Sequence, residues 1–436
     1  MAPVDSDNVS DAGQTLTPAG YRSRIAEANA DRMLRTARAL LVEGPKGCGK
    51  TWFAKHLARS EVLLDHDPAA LALAEAEPHR VLDGPVPRLL DEWQLVPALW
   101  GAVRGAGDAR GVPGQFILTG SATPADDVTR HSGALRIQRL ALRTMSLAER
   151  GWSTQEVSLA GLLRGDTVTA DPTRRGVPEA VDALCRGGWP GFDDSVPTAD
   201  IVDALGSYLA DMARTDIGQV DGVARDPVRV RALLRSVARN VGTAASLNKL
   251  AAEASLDASL GRHSVRAYLD ALERLHVLEP LMVWPTHLRS RSPLLKSPKH
   301  HFADPSLAVA ALRATPERLL ADPEAFGLLF ESLVIRDLRV YAQAAGAEVF
   351  AFGDASGTEA DAIVDAGDGR WLAVEVKLGG SKQIEQAARS LLSVKRKVDE
   401  ARMGDATKLL VVTASDGYSY ERPDGVSVAP ISALGP

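Results

Sequence analysis

Apolar residues in the first third of the chain form short runs separated by polar turns. Ala39–Glu43 is one such run, and a glycine-rich turn and a helical pattern over residues 50–59 follow it. Two further runs, 86–90 and 115–120, have the length of buried strands. Because strands that alternate with helices favour a parallel sheet covered by helices, the pattern predicts an α/β domain here.

The C-terminal part of the chain has a different order of elements. An amphipathic helical pattern comes first, and short strand-like runs follow, with a turn signal at 366–369 between two of them. The predicted order is helix, three strands, helix and strand, over residues 325–341, 349–352, 360–364, 371–378, 382–398 and 408–412.

The middle of the chain is mainly helical in pattern. Residues 158–180 are rich in Gly, Thr, Asp and Arg and predict a loop or insertion, after which a helical pattern covers 199–214. Three more helical patterns and two short strand-like runs follow, over residues 228–240, 246–254, 263–276, 277–284 and 299–304. Three helices followed by two short strands are typical of a winged-helix domain.

Composition and charge narrow the class of protein. At about 150 residues per domain, 436 residues predict about three domains. The net charge of −6 excludes a uniformly basic surface. Cys48 and Cys185 are the two cysteines of the chain, too few for a disulfide framework or a cysteine zinc site. Residues 1–18 predict a disordered tail and not a secretory signal, and no run suits a membrane span, so we expect a cytoplasmic protein.

The glycine-rich turn carries the strongest chemical signal. Residues 44–51 read Gly-Pro-Lys-Gly-Cys-Gly-Lys-Thr between a predicted strand and a predicted helix. In this context the loop N–H groups and the helix dipole favour phosphate, so we expect ATP to bind here. Lys50 is expected to bridge the β- and γ-phosphates, and Thr51 to complete the Mg²⁺ coordination. The predicted nucleotide-binding residues of the loop are Gly44, Gly47, Cys48, Gly49, Lys50 and Thr51.

Polar residues also end the next two predicted strands. Asp91 and Glu92 follow the run at 86–90, and we expect Asp91 to hold Mg²⁺ and Glu92 to deprotonate the attacking water. Thr119 and Ser121 end the third strand and are suited to sensing the γ-phosphate or holding the water, with simple capping as the alternative. Because parallel strands end at one edge of a sheet, these residues are predicted to converge on the loop.

The motifs occur in the order found in a known family. They cover residues 44–52, 90–94, 118–124, 131–133, 145–149 and 187–191. Together they resemble the prokaryotic AAA-type ATPases that carry a C-terminal domain of unknown function. The resemblance implies an AAA-like core with a helical lid at 199–214, and supports the roles given to Lys50, Thr51, Asp91 and Glu92. Arg130, Arg136 and Arg139 follow the third predicted strand, and one of them could complete a neighbouring subunit's site as an arginine finger, with a solvated arginine as the alternative. The resemblance implies that Arg136 is this finger.

Basic residues cluster in the predicted winged helix. The first cluster comprises Arg225, Arg229, Arg231, Arg235, Arg239 and Lys249. The second, at the predicted tip of the wing, comprises Arg289, Arg291, Lys296 and Lys299. Such clusters suit contact with DNA phosphates, and the alternatives are a solvated face or a module that binds protein.

Acidic residues in the C-terminal strands form a second candidate site. Asp361 lies on one predicted strand, and Glu375 and Lys377 share one face of the next because side chains alternate along a strand. The arrangement resembles the restriction-endonuclease-like superfamily. That resemblance implies a nuclease site in which Asp361 and Glu375 bind Mg²⁺ or Mn²⁺ and Lys377 stabilises charge. Glu331, on the preceding helix, is a candidate third acid, and a solvated ion pair is the alternative for Glu375 and Lys377.

These predictions combine into one architecture. The fold class is α/β, with a disordered tail (1–18), an AAA-like phosphate-loop ATPase core with a helical lid (19–220), a winged-helix domain (221–320) and a restriction-endonuclease-like domain (321–436). A finger acting in trans requires a homo-oligomer, a ring or stacked assembly such as a hexamer. We expect an ATPase that processes DNA and has a nuclease-like domain. The alternatives are a nucleotide-switched regulator that binds DNA or a partner without cutting, and a remodeller of protein partners.

Overall fold

The computed structural model describes residues 15–121, 135–255, 260–285, 298–354, 357–398 and 403–436. Within these ranges the chain forms a five-stranded sheet near the N-terminus and a seven-stranded sheet near the C-terminus. Helices occupy most of the sequence between them. No helix in the described ranges is both long and apolar enough to cross a bilayer.

The N-terminal sheet is parallel throughout, in the order β2-β3-β4-β1-β5. This agrees with the parallel sheet that the sequence predicts. Its elements are α1 (Glu27–Leu34), β1 (Ala39–Glu43), α2 (Lys50–Leu57), β2 (Ser60–Leu63), α3 (Pro68–Ala76), β3 (Arg88–Asp91), α4 (Ala98–Arg110), β4 (Phe116–Gly120) and β5 (Ile137–Ala141), with 3₁₀ turns at Pro78–Leu82 and Trp93–Leu95.

The apolar run of β1 is explained by burial on both faces of this sheet. Ala39 and Leu41 pack into one hydrophobic cluster, to which α4 also contributes, whereas Leu40 and Val42 pack into a second cluster with Phe53 of α2. Because a strand covered on both faces has no solvent side, it carries no polar alternation. Because both faces of the sheet are apolar, we expect polar functional side chains at the edge formed by the carboxyl ends of the strands.

The middle of the chain is helical, and it contains more regular structure than the sequence indicates. The prediction of a loop at 158–180 is wrong, because this segment contains a helix, a short strand and the start of a second helix. The elements are β6 (Val157–Ser158), α5 (Leu159–Arg164), β7 (Ala170–Thr173), α6 (Val177–Arg186), α7 (Thr198–Asp211), a π-helical turn (Met212–Asp216), α8 (Ile217–Gln219), α9 (Pro227–Arg239), α10 (Leu247–Ala254), α11 (Arg262–Arg274), α12 (Pro305–Leu312) and α13 (Pro316–Ala321).

Two short antiparallel segments follow α11. Leu278 pairs with Phe302 and Leu281 pairs with Lys299, and we call residues 278–284 and 298–302 the β-ribbon. The three helices and the β-ribbon occur in the order that the sequence predicts. On its other side, Val283 pairs with Ala351, so the β-ribbon continues into the C-terminal sheet.

The C-terminal sheet has the order β7-β12-β13-β11-β10-β9-β8. The helices and first four strands follow the predicted order, and three more strands, β13, β12 and β7, extend the sheet beyond β11. Its elements from α14 onward are α14 (Pro323–Ala345), β8 (Glu348–Gly353), β9 (Glu359–Asp365), β10 (Trp371–Lys377), α15 (Ser381–Lys397), β11 (Ala406–Thr413), β12 (Gly417–Glu421) and β13 (Val426–Pro430). A 3₁₀ turn (Ile431–Ala433) and β14 (Leu434–Gly435) follow, and β14 pairs with β6 in a separate two-stranded sheet.

The C-terminal sheet is built from distant parts of the chain. Strand β7 pairs with β12, and β6 pairs with β14, so residues well before 221 complete the C-terminal structure. One hydrophobic cluster runs continuously from Leu147 through the helical segment to Leu434. The helical segment and the C-terminal sheet therefore share a core, and a division of the sequence at residues 220 and 320 does not divide this core.

Candidate functional site

The phosphate loop connects β1 to α2, and two of its glycines are required by geometry. Gly47 and Gly49 have φ of 83° and 99°, values that residues other than glycine rarely adopt. A Cβ atom at Gly47 would lie 3.7 Å from the Trp189 ring, and one at Gly49 would lie 3.3 Å from Pro190. The turn that contains Trp189 and Pro190 therefore packs directly against the phosphate loop.

Lys50 begins α2 and is 5% exposed. Its Nζ atom donates hydrogen bonds to the carbonyl oxygens of Gly44 at 2.9 Å and Pro45 at 3.0 Å. The lysine amine thus lies inside the loop, where a phosphate ligand of the loop would meet it.

Thr51 and Asp91 meet at the carboxyl edge of the sheet. The Thr51 hydroxyl lies 3.1 Å and 3.2 Å from the two carboxylate oxygens of Asp91, and the Thr119 hydroxyl donates to the same carboxylate. Asp91 is 2% exposed. Burial raises the pKa of Asp91, the Glu92 charge adds to the rise, and the two hydroxyl hydrogen bonds oppose it. A hydroxyl beside a buried carboxylate is a donor set that fits Mg²⁺.

Glu92 follows directly, in a left-handed backbone conformation with φ of 54°. Its carboxylate accepts a hydrogen bond from the Ser121 hydroxyl at 3.1 Å and another from the Gln94 side chain, which sequence reasoning did not include. The Glu92 N–H donates to Thr119 Oγ1 at 3.3 Å. Thr119 and Ser121, predicted as phosphate sensors, therefore contact the two acidic residues.

The Arg136 guanidinium lies far from this edge. It precedes β5, so about five residues, or about 17 Å of strand, separate it from the end of β5 beside the loop. Its Nε atom lies 2.8 Å from Asp108 in an exposed ion pair. Arg139 pairs with Glu43 at 2.9 Å, and Arg130 lies outside the described residues. Within one subunit, Arg136 does not contact the nucleotide loop.

Arg24 is a structural neighbour of the loop that the sequence patterns do not reveal. Its guanidinium donates to the carbonyl oxygens of Cys48 at 3.1 Å and Arg143 at 2.6 Å, and it pairs with Glu149 at 3.1 Å. It joins the loop to the segment after β5. A lone arginine in a polar N-terminal stretch gives no signal of such a contact.

The predicted C-terminal residues also come together. Lys377 Nζ lies 2.6 Å from Glu375 and 3.6 Å from Asp361, and Ser390 of α15 donates to Glu375 at 2.9 Å. Asp361 accepts a hydrogen bond from the Val376 N–H at 2.7 Å. Burial and the Asp361 charge raise the pKa of Glu375, and the Lys377 charge opposes this rise. We call Glu331, Asp361, Glu375 and Lys377, together with Lys299, the carboxylate cluster.

Glu331 and Lys299 complete this cluster. Lys299 Nζ lies 3.2 Å from Glu331 Oε1, and both side chains are largely buried. Burial and the neighbouring Asp361 charge raise the pKa of Glu331, and the Lys299 amine opposes this rise. The prediction that Lys299 contacts DNA from an exposed wing tip is therefore wrong, since the β-ribbon turns it inward. In the described parts of the chain, no three acidic, histidine or cysteine side chains are placed to share a metal ion.

The basic residues of the middle segment do not form one surface. The prediction that Arg225 contacts DNA phosphates is wrong, because its guanidinium lies 2.5 Å from the Asp221 carboxylate and its side chain is 4% exposed. Arg231 and Arg235 line a groove of about 1250 Å³ between α7, α9 and α12, which lies apart from the residues of both candidate sites. Arg239 and Lys249 are exposed, as are Arg262 and Arg266 on α11. Arg289, Arg291 and Lys296 lie outside the described residues.

Three domain families match the chain. Residues 36–150 match an AAA domain, residues 178–318 match a domain of unknown function (DUF8612), and residues 326–434 match another domain of unknown function (DUF4143). Together with the parallel sheet and the loop, the first match supports an AAA-type phosphate-loop ATPase core. The other two matches assign no activity.

Similar proteins have also been described. The uncharacterized proteins Rv2008c of Mycobacterium tuberculosis and Mb2031c of Mycobacterium bovis are each 26% identical over 373 residues, which cover 85% of this chain and 77% of theirs. Among solved structures, the Walker-type ATPase paby2304 of Pyrococcus abyssi matches with a TM-score of 0.42 at 13% identity, covering 69% of this chain and 99% of that one.

Proposed function

We propose that this chain is an ATP-hydrolysing, DNA-processing protein in which an AAA-type core controls a helical and nuclease-like C-terminal half. The observation that carries the ATPase assignment is the contact of Thr51 with the buried carboxylate of Asp91, beside Lys50 inside the loop. A phosphate loop, a hydroxyl and a carboxylate at one sheet edge are the parts that such hydrolysis needs.

Each residue of this site has a role in the proposal. Lys50 holds the β- and γ-phosphates, and Thr51 and Asp91 hold Mg²⁺, which neutralises phosphate charge when it is bound. Glu92 orients the attacking water and takes its proton, and the hydrogen bonds from Ser121 and Gln94 fix its carboxylate. Thr119 links the two acids through its hydroxyl.

Arg136 enters the proposal only through a neighbouring subunit. Its position at the opposite end of β5 and its exposure support contact with another copy and exclude contact with its own loop. A homo-oligomer in a ring or a stack is therefore part of the proposal. Mass measurement with and without ATP tests it, and Arg136→Ala is expected to reduce ATP turnover without changing ATP binding.

ATPase activity of the purified full chain tests the core assignment. We expect Lys50→Ala to abolish ATP binding. We expect Glu92→Gln to bind ATP and to hydrolyse it about 100-fold or more slowly, because a general base contributes about 10²–10⁴ to the rate. Lys395→Ala, which breaks an exposed pair with Asp405, is the matched control. Equal turnover by wild type and Glu92→Gln would remove Glu92 from the mechanism.

The nuclease part of the proposal rests on the carboxylate cluster. Asp361 and Glu375 are the residues that would hold Mg²⁺ or Mn²⁺, which activates water for phosphodiester cleavage when it is bound. Lys377 lies within reach of both carboxylates and is placed to stabilise charge on a phosphate. Glu331 adds a further acid on the side of α14.

A second candidate function is a nucleotide-switched regulator that binds DNA or a partner without cutting. The observation that favours it is the pairing of all three carboxylates with lysine amines, Glu331 with Lys299 and the other two with Lys377. Ion pairs satisfy these acids without a metal. In this alternative the cluster holds the β-ribbon against the C-terminal sheet.

DNA cleavage separates the two functions. Linear, circular and single-stranded DNA are incubated with the wild-type chain, Asp361→Ala, Lys377→Ala and the Lys395→Ala control, with Mg²⁺ or Mn²⁺ and with or without ATP. The nuclease proposal expects cleavage by wild type and the control, and none by the two cluster variants. Intact DNA in every reaction would leave the regulator as the function of this chain.

A further inference from the structure

A cavity of about 190 Å³ separates the start of the phosphate loop from the end of α11. Gly44 and Pro45 form part of one wall, and Glu273 and His276 form part of the other. His276 lies in the turn that follows α11, in a left-handed conformation with φ of 54°, and its N–H donates to the Glu273 carbonyl oxygen at 2.9 Å. The helical segment therefore borders the nucleotide site directly.

The carbonyl groups on the loop side of this cavity depend on Lys50. Both Gly44 and Pro45 are buried, and their oxygens accept hydrogen bonds from the Lys50 amine. A lysine ammonium has three N–H donors. If two of them bridge the β- and γ-phosphates of ATP, one donor is left for two carbonyl oxygens. ATP binding thus leaves at least one of these carbonyl groups without Lys50. The Pro45 oxygen keeps a hydrogen bond from the Cys48 N–H at 3.2 Å, so Gly44 is the buried carbonyl for which the loss of Lys50 is unfavourable.

His276, on the opposite wall of the cavity, can supply the missing hydrogen-bond donor. His276 Nε2 is buried and has no hydrogen-bond partner within the described ranges. Burial lowers the pKa of His276, and the charges of Glu43 and Lys50 also act on the ring, which places it within electrostatic reach of the loop. A neutral imidazole carries one N–H, and Nε2 can bear it.

We infer that His276 is a positioning residue of the nucleotide site, which donates a hydrogen bond to the loop carbonyl that Lys50 releases when ATP binds. The inference rests on the proposed binding of ATP at the phosphate loop. It makes the turn that follows α11 a part of the site. Arg262 and Arg266 lie exposed toward the other end of α11, up to about 20 Å away.

ATP kinetics of the full chain test this role. His276→Phe keeps a ring but has no donor, whereas His276→Gln keeps an N–H donor. We expect His276→Phe to raise the KM for ATP about fivefold with an unchanged kcat, because one neutral hydrogen bond made on binding is lost. His276→Gln is expected to stay within about twofold of wild type. His300→Phe is the matched control, since His300 is buried, also has a ring nitrogen without a partner and does not line the cavity.

Hydrogen exchange provides a second measurement that does not depend on turnover. ATP is expected to slow amide exchange at the end of α11 in wild type and His276→Gln, and not in His276→Phe. A wild-type KM in His276→Phe, or equal defects in His276→Phe and His276→Gln, would overturn the inference. Failure of the wild-type chain to bind ATP is a different result, because it overturns the proposed function itself.

Discussion

Glu279 joins three parts of the chain, and its replacement gives a measurable loss of stability. It lies 2.6 Å from Arg143, which follows β5, and 3.4 Å from Arg339 on α14. Burial opposes ionisation, but the two arginines outweigh it and lower the pKa of Glu279 from 4.5 to about 2. At about 1.4 kcal/mol per pH unit, this lowering corresponds to about 3 kcal/mol. Because the side chain is 29% exposed, solvent screening reduces the expected contribution to about 2 kcal/mol.

The sign of the pH dependence follows from the lowered pKa. The contribution is complete above pH about 5 and is lost as the pH falls from about 4.5 toward 2, because the unfolded chain binds the proton first. Glu279→Gln should therefore be less stable than wild type by about 2 kcal/mol at pH 7, and this difference should shrink toward pH 3.

Urea unfolding of both proteins, followed by tryptophan fluorescence at pH 7, 5, 4 and 3, measures the difference. Glu385→Gln is the matched control, since Glu385 pairs with Arg422 at 2.7 Å but is 47% exposed, and we expect it to cost less than about 1 kcal/mol. A Glu279→Gln variant as stable as wild type at pH 7, or a difference that grows as the pH falls, would refute the reasoning.

Four other substitutions have defined outcomes. Gly44→Ala places a Cβ atom 2.1 Å from the Leu142 carbonyl oxygen, so calorimetry should show loss of ATP binding, whereas Gly206→Ala, with nothing within 4 Å, should stabilise α7 by about 0.5–1 kcal/mol. Arg336→Met leaves two buried carboxylates unpaired and should cost about 3–5 kcal/mol in urea unfolding. Trp284→Ala removes a 1% exposed side chain that packs on two aromatic rings, and should cost about 3–5 kcal/mol by the same measurement.

The buried charges show how closely the parts of this protein are connected. Arg336 of α14 lies 3.0 Å from Asp304, and that aspartate also accepts hydrogen bonds from Thr144 at 2.6 Å and from the Gly188 N–H at 2.9 Å. The Asp304 carboxylate, in the segment after the β-ribbon, thus contacts three other parts of the chain. They are the end of the ATPase core at Thr144, the turn beside the phosphate loop at Gly188, and α14 at Arg336.

Lys299 illustrates where sequence reasoning fails. Its basic neighbours suggested a solvated wing tip, but hydrogen bonds with Leu281 at 2.8 Å and 3.2 Å hold its backbone in the β-ribbon. That register turns the side chain toward Glu331 on a helix 32 residues later in the chain. Charge patterning along a sequence cannot distinguish an exposed lysine from one that pairs with a distant acid.

The sequence is sufficient to predict the phosphate loop, the acids that end β3 and the order of elements in the C-terminal sheet through β11. These features depend on local patterns, because strand burial, glycine conformation and side-chain alternation are properties of a few consecutive residues. The folded chain shows which distant residues lie at the sites: Trp189 and His276 are beside the loop, and Lys299 is at the carboxylate cluster. It also shows that β6 and β7 pair with strands near the C-terminus. Such contacts arise from packing between segments far apart in sequence, and no short stretch of the chain encodes them.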